Sequence, residues 1–360
     1  MKRNSPSGCS ESIIRQLLKD PLGLISLCII GLFVLLALGA YPISPDSTPY
    51  ANEQHLEIAV KKPGFRIEML QIEKPVKEKT NLLEHILFGT PSPYTSVPIY
   101  RRWTNGTTHC FETYTGDTPN AGDTITLPTN SKFEITERTY LLGTDRYGRD
   151  MLSQLIVGTR VSLSVGFISV LIAIIIGVTL GAIAGYYGGK ADNIIMWLIN
   201  VVWSIPTVLL VVAITFALGK GFWQVFAAVG LTMWVDIARM VRGQVKSLKE
   251  KEFVEAAKAL GESNSRIILH QILPNVVGPI SVITASNFAT AILQEAGLSF
   301  LGLGVQPPMP SWGSMIKENY GYIILDAAYM AIIPGIAIML LVLAFICLGS
   351  SLRKAMDVKK

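Results

Sequence analysis

Acidic side chains, four histidines and four cysteines are the groups through which this chain could do chemistry. Their spacing points away from bond-breaking. Cys9, Cys28, Cys110 and Cys347 stand far apart, two of them inside apolar runs, which is neither a disulfide framework nor a metal-ligand pattern. His55, His85, His109 and His270 form no cluster, and the adjacent His109-Cys110 lacks the further ligands of a metal centre. Gly188-Gly189-Lys190 ends like a phosphate-cradling loop. Ala184 stands where that motif needs Gly, and Ala191 where it needs Ser or Thr, so no nucleotide site is encoded. Two carboxylates remain beside apolar runs, Asp236 and Glu295. An ionisable group in a membrane span marks function by default. The plainer account of Asp236 is an ion pair with Arg239 one turn on. For Glu295 it is a span reaching its polar boundary, because Gly-Leu-Gly and Pro-Pro follow. With no nucleophile–base pair and no metal cluster, an enzyme is not expected.

The elements that carry these groups are set by composition. Half of the 360 residues are hydrophobic and 16% are charged, against about 25% charged in soluble domains. The chain is therefore read as an integral membrane protein, and its net charge of +5 as orientation and lipid contact rather than nucleic-acid binding. Leu22–Ala40 is an uncharged run of 19 residues, long enough to cross about 30 Å of hydrocarbon and longer than the apolar part of a cleaved signal peptide. Further spans are expected at Val161–Gly189, Ile194–Gly219 with a kink at Pro206, Gly221–Val235, Val276–Leu293 and Ala327–Leu352. The fourth of these six is short and continues through Asp236 toward Arg239. Gly177, Gly181 and Gly185 recur every four residues and offer a flat face for close helix packing.

Residues 42–140 differ in kind: polar, rich in proline and threonine, and without a spanning run. Alternation in Phe65–Glu73, and strand-like composition in Ser96–Trp103, His109–Thr115 and Lys132–Thr136, predict strands, with turns at Asn105-Gly106 and Asn120-Ala121-Gly122. A β-rich domain inserted between the first two spans is expected.

The longest polar, helix-favouring stretch in the C-terminal half is Glu252–Asn275. Phe253, Ala256, Ala257 and Leu260 fall at i, i+3, i+4 and i+7 on one helical face, with Glu252, Glu255 and Lys258 opposite. Gly261 can end that helix in a left-handed turn, Ser263 or Ser265 can cap the next, and Pro274 suits a helix start.

Here the residues carry a resemblance. Glu255-Ala256-Ala257, Gly261 and Ile272-Leu273-Pro274, in that spacing, resemble the EAA loop of permease subunits of bacterial ABC importers. The stretches LGTDRYGRDMLSQLIVGTRVSL (142–163) and LSFLGLGVQPPMPSWG (298–313) are similar to signatures of the C-type permeases in the dipeptide, oligopeptide and nickel class. The resemblance is strong over 140–360 and loose over 10–45; the long insert departs from it. It implies an all-α type I importer permease fold with six transmembrane helices, divided here into 1–41, an extracytoplasmic insert 42–140 and a core 141–360 with the EAA loop at 240–275. It also implies a homologous second permease, two ABC ATPase subunits that bind the ATP, an extracytoplasmic substrate-binding protein and contact with membrane lipid. No cofactor of its own and no nucleic-acid partner is expected. Phe253, Glu255, Ala256, Ala257, Leu260, Gly261 and Pro274 would carry the coupling to the ATPases.

The charges agree with that topology. With six spans, the side holding both termini also holds seven Lys or Arg from Arg239 to Arg266, whereas the short loops opposite hold only Lys220 and Lys317. Short loops rich in Lys and Arg stay in the cytoplasm. Both termini and the EAA loop are thus expected in the cytoplasm of a bacterial inner-membrane protein. Peptides are the expected solute, with nickel or another small solute as the alternative. A secondary transporter is disfavoured, because four of the spans hold no ionisable residue.

Overall fold

The computed structural model describes residues 16–75, 81–116, 118, 120–128, 131–219 and 221–357. Cys9, and Lys220 of the charge count, lie outside the described residues. In chain order the principal elements are α1 (Pro21–Leu38), β1 (Phe65–Glu73), α2 (Leu82–Phe88), β2 (Tyr94–Asn105), β3 (Thr108–Thr113), β4 (Thr124–Pro128), β5 (Phe133–Tyr140), α3 (Met151–Tyr187), α4 (Gly189–Trp203), α5 (Thr207–Leu218), α6 (Phe222–Lys249), α7 (Glu252–Ala259), α8 (Asn264–Phe300), α9 (Trp312–Asn319) and α10 (Tyr329–Asp357).

Five of these helices, α1, α3, α6, α8 and α10, are long and apolar enough to cross a membrane among the described residues. The count reaches six if α4 and α5 form one broken span. Pro206 explains the break. It lacks the N–H that would continue the helix, and the chain turns by 93° across Ser204–Pro206, far beyond an ordinary proline kink.

Three other expected boundaries are corrected. The span expected from Val161 begins already at Met151, within one 37-residue helix, α3, because no proline interrupts the sequence there. The helix expected to continue past Val235 only toward Arg239 runs 28 residues, from Phe222 to Lys249. Its charges are accommodated on the way: Arg239 stacks over the Trp203 ring at 3.7 Å and Arg242 makes a paired hydrogen bond with Asp192. The expected Asp236–Arg239 pair does not form. The helix expected to end near Glu295 continues to Phe300.

The chain divides into two compact units. The first comprises residues 1–33, 162–305 and 337–360. Its core joins Val165, Ile199, Phe226, Ile237, Val241, Ile272 and Ala291. α6 is the least apolar of the five candidate spans and the most buried, 67% of its apolar window against 22% for α1. Small and β-branched residues on α6 let neighbours approach, whereas α1 is apolar all round and leaves Leu24, Ile25, Leu32 and Leu35 exposed. That is the pattern of a lipid-facing helix.

The second unit comprises residues 34–161 and 306–336. It holds a five-stranded antiparallel sheet in the order β4-β3-β2-β1-β5. Alternation along β1 sends Ile67 and Met69 into a cluster with Ile58, Tyr114 and Tyr140, and Leu70 into another with Ile99 and Phe111. Both faces of β1 are therefore covered. The β2–β3 hairpin closes through Gly106, whose φ of +59° needs no Cβ, and Thr107, one residue later than the Asn-Gly signal predicts. β4 lacks a strong sequence signal. The segment is not all strand: α2 and two short 3₁₀ turns also lie within it. Residues 306–336 join the same unit through buried Trp312, whose indole N–H donates to the Leu155 carbonyl at 3.0 Å.

Candidate functional site

The EAA stretch folds as a short helix, a closed turn and the start of a long helix. α7 ends at Ala259. Gly261 takes φ +79°, its N–H bonds to the Lys258 carbonyl at 2.9 Å, and the Glu262 N–H reaches the Ala257 carbonyl at 3.1 Å. This pair of bonds satisfies carbonyls that a helix end would otherwise leave open, and the left-handed residue is the one position where a side chain would strain the turn. Ser263 stands at the N-cap of α8 by its backbone angles but makes no side-chain capping bond, and Ser265 lies inside the first turn. Both capping expectations are thereby corrected. Ile267–Ile272 form a π turn directly ahead of Pro274. Pro274 offers no N–H to the carbonyl four residues back, and the wider turn places that mismatch where the helix is already loosened.

One face of α7 holds it to the rest of the unit. Val254 is fully buried and Ala257 is 5% exposed. Ile267 and Ile272 are buried in the same cluster. Across from them, Tyr186 at the end of α3 donates its hydroxyl to Asn264 Oδ1 at 2.8 Å, and Lys249 and Lys258 lie over its ring. The opposite side of α7 is open: Phe253 is 39% and Leu260 83% exposed, and Ala256 is exposed with them. The predicted four-residue face is therefore split. Phe253, Ala256 and Leu260 point outward, while Ala257 turns toward the chain's own core, because Val254, left out of the sequence pattern, draws that side inward. Glu255 borders an open cleft of about 540 Å³ shared with Asp192, Lys246, Lys249 and Lys258.

The three spaced glycines lie along a helix seam. A Cβ on Gly177 would stand 2.7 Å from the Trp234 carbonyl, on Gly181 2.5 Å from that of Ala238, and on Gly185 2.7 Å from that of Arg242. Gly230 repeats the arrangement from α6, where a Cβ would lie 2.9 Å from the Ser169 carbonyl. The backbones of α3 and α6 thus approach along three turns, and the seam ends beside Tyr186 and the α7 turn.

Glu295 is fully buried rather than at a boundary. Ser299, one turn on, donates to it at 2.7 Å and Ser162 of α3 at 3.2 Å. Sequence reading placed neither serine beside it; their shared hydroxyl chemistry becomes visible only when α3 and α8 are packed together. Asn287, Thr290 and Gln294 were also missed, although their i, i+3, i+7 spacing marks one polar stripe on α8.

Residues 177–358 match the model of a family described as the binding-protein-dependent transport system inner membrane component. The chain is 45% identical over 217 residues to a dipeptide transport system permease protein of Alkalihalophilus pseudofirmus, a match covering 60% of this chain and 71% of that one. It is 43% identical over 218 residues to a glutathione transport system permease protein of Pectobacterium atrosepticum, covering 61% and 72% of the two chains. With an oligopeptide transport system permease protein of Haemophilus influenzae it shares 39% identity over 220 residues, covering 61% and 70%. The family match extends over half of the chain and takes in the glycine seam, the α7 turn and all of α8. This chain is a member of the family of binding-protein-dependent transport system inner membrane components.

Proposed function

We propose that this chain is the C-type permease subunit of a peptide importer driven by ATP, forming half of the solute pathway with a homologous second permease. ATP is bound and hydrolysed by two partner ATPases, and an extracytoplasmic binding protein delivers the solute. One observation carries the coupling part of this reading: α7 is fixed to its own chain through Val254 and Ala257 while presenting Phe253, Ala256 and Leu260 outward. A short helix held on one side and apolar on the other suits insertion into a groove of a partner.

In this mechanism closure of the ATPases shifts α7 as a rigid body. Gly261 keeps the turn closed, Pro274 and the π turn ahead of it lead the motion into α8, and the Gly177–Gly181–Gly185 seam carries it into α3. The pathway then changes from outward- to inward-facing, a two-state equilibrium biased by nucleotide. Glu255 meets the partner from the cleft that it borders. Membrane lipid surrounds α1. Both termini and α7 lie in the cytoplasm, and the sheet of the second unit lies outside, where it meets the partner permease and the docked binding protein. Peptides are the solute that the names of the relatives favour.

The test is co-expression with the neighbouring genes. The wild-type chain should purify with ATPase subunits and import a radiolabelled peptide in vesicles containing the binding protein. Purification without ATPases, with intact folding, would remove the reading.

A further inference from the structure

α6 and α8 enclose a polar pocket inside the first unit. It has a volume of about 100 Å³ and is bordered by Thr232 and Asp236 of α6, by Asn287, Thr290 and Gln294 of α8, and by Thr207 just beyond the Pro206 break. Each helix contributes one stripe, at i and i+4 on α6 and at i, i+3 and i+7 on α8, so the polarity is directed to one place rather than scattered.

Three features of this pocket point to a ligand. Asp236 is exposed and has no ionic partner among the described residues, since Arg239 one turn on stacks over Trp203 instead. Asn287 is only 7% exposed, and its Nδ2 has no hydrogen-bond partner among the described residues. Gln294 Oε1 is buried and likewise unpartnered. Buried polar groups are ordinarily satisfied, and an unpaired one marks a place where something else binds. The set offers one carboxylate, one amide acceptor and one amide donor. At about 30 Å³ per water molecule in the liquid, the volume holds a few waters or one polar head group, not a whole peptide.

We infer that this pocket receives the N-terminal end of a translocating peptide, with Asp236 and Gln294 Oε1 accepting from its ammonium and Asn287 Nδ2 donating to its first carbonyl. A metal ion fits less well, because no group of three or more His, Cys, Asp or Glu side chains able to hold one occurs among the described residues. An ammonium group adjoining a carbonyl matches the donor and acceptor set in charge, size and order. This inference rests on the peptide-importer reading above. It adds that part of the solute selection occurs within the permease, after release from the binding protein.

The experiment uses the complete importer in vesicles with its binding protein in excess, and compares trialanine with N-acetyl-trialanine, whose N-terminus carries no charge. Asp236→Asn should lower kcat for trialanine about tenfold, the size of one charge-assisted hydrogen bond, with KM for the loaded binding protein unchanged. It should leave the acetylated peptide at the wild-type rate, and Asp236→Glu should restore most of the loss. Equal slowing of both peptides would assign Asp236 a merely structural role, and no slowing would leave it without one; either overturns the inference. Should Asp236→Asn fail to assemble, Gln294→Met replaces it, with a loss of about threefold confined to the free amine, as befits a neutral acceptor; no selective loss there is equally fatal. If the wild-type importer hydrolyses ATP but moves neither peptide, the peptide reading itself falls and takes this inference with it, a result distinct from a variant that matches wild type.

Discussion

Arg149 and Glu318, 169 residues apart in the chain, meet at 2.6 Å in the second unit. They join two signature stretches, LGTDRYGRD, which precedes the family match, and PPMPSWG with the helix that follows it, which lie within it. Asp145 completes the group. It accepts from the Arg149 guanidinium at 2.6–2.7 Å and from the backbone N–H groups of Tyr147 and Arg149 at 2.9 Å. Arg149 and Asp145 are buried and Glu318 nearly so. A second tie runs beside it, where a Cβ on Gly158 would stand 3.2 Å from the Trp312 ring. What reads in sequence as two separate signatures is one buried contact.

The consequence is measurable as stability. Arg149→Met leaves Asp145 and Glu318 charged and buried without their cation, and should cost about 3–5 kcal/mol, the range for breaking a buried ion pair from one side. Glu318→Gln keeps the hydrogen bond and the Asp145 partner and should cost about 1–2 kcal/mol. Thermal melting of the detergent-solubilised protein checks the order; a Glu318 loss as large as the Arg149 loss contradicts this account of the cluster.

The glycine seam gives a second pair. Gly181→Val drives a side chain into the Ala238 carbonyl and Val241, where a Cβ would already stand at 2.5 and 2.9 Å. Overpacking of this kind costs about 1–3 kcal/mol and more where backbone must shift. Gly243→Ala on α6 meets nothing within 4 Å and should be silent or mildly stabilising. Yield of folded protein and melting temperature decide it, and equal behaviour of the two would show that α3 and α6 do not depend on close approach.

Around α7, anchoring and docking separate. Ala257→Glu places a charge on the buried side and should destabilise the protein itself. Leu260→Glu changes an exposed residue and should leave melting unchanged while lowering ATPase co-purification and peptide uptake. Gly261→Val has open space around it, so only its φ of +79° opposes the change, at about 1–2 kcal/mol. Its uptake should fall further than its melting temperature suggests. Normal uptake by Leu260→Glu would remove α7 as the coupling element.

These contrasts also show how far the sequence could be read. The exposed and buried sides of α7 were half legible: the i, i+3, i+4, i+7 pattern located a face, but Ala is equally at home on either side, and only the neighbour Val254 decides. Gly261 was legible because a left-handed helix end has one preferred residue. Glu295 was not, since its hydroxyl partners come from two helices and carry no periodic signal. The α6 boundary was misread for a related reason. Asp236, Arg239 and Arg242 look like the end of a span in one dimension, yet a pocket, the Trp203 ring and Asp192 accommodate them in three. Contacts between residues more than a hundred positions apart, such as Arg149–Glu318, leave no trace in local composition.

The second unit should respond to pH at both extremes. Burial pushes the Glu53 carboxyl up, but the His55 ring nitrogen at 3.5 Å and the Arg138 guanidinium at 2.6 Å outweigh it and hold Glu53 below the usual carboxylate range. A depressed acid contributes stability that is complete above its unfolded value, about 4.3, and is lost as pH falls through the folded one. The Glu53 contribution should therefore be complete above about pH 5 and be lost below it, and Glu53→Gln should flatten the acid decline in melting temperature. At the other end, burial raises the Tyr140 hydroxyl to about 12. Its contribution is complete below the unfolded value of about 10 and is lost as pH rises toward 12. Tyr140→Phe should shorten that alkaline limb without abolishing it, because burial also raises the Tyr41 hydroxyl of the same unit; an unchanged limb would contradict the role of Tyr140.

The last prediction concerns the side of the membrane on which the sheet lies. α1 is the only candidate span ahead of it among the described residues, so an odd number of crossings separates it from residue 16. The cytoplasmic side is argued from the Lys and Arg between Arg239 and Arg266. Native Cys110 cannot report the answer, because it is buried in β3 at 5% exposure. Asn105 at the tip of the β2–β3 hairpin is exposed, as is Lys190 at the start of α4, and a cysteine at either place should react freely. On intact spheroplasts a membrane-impermeant maleimide should label Asn105→Cys and spare Lys190→Cys until the membrane is opened, with Cys110 silent in both unless denatured. Labelling in the reverse order would invert the whole topology. It would place α7 outside, away from any ATPase, so the coupling mechanism would fall in the same experiment.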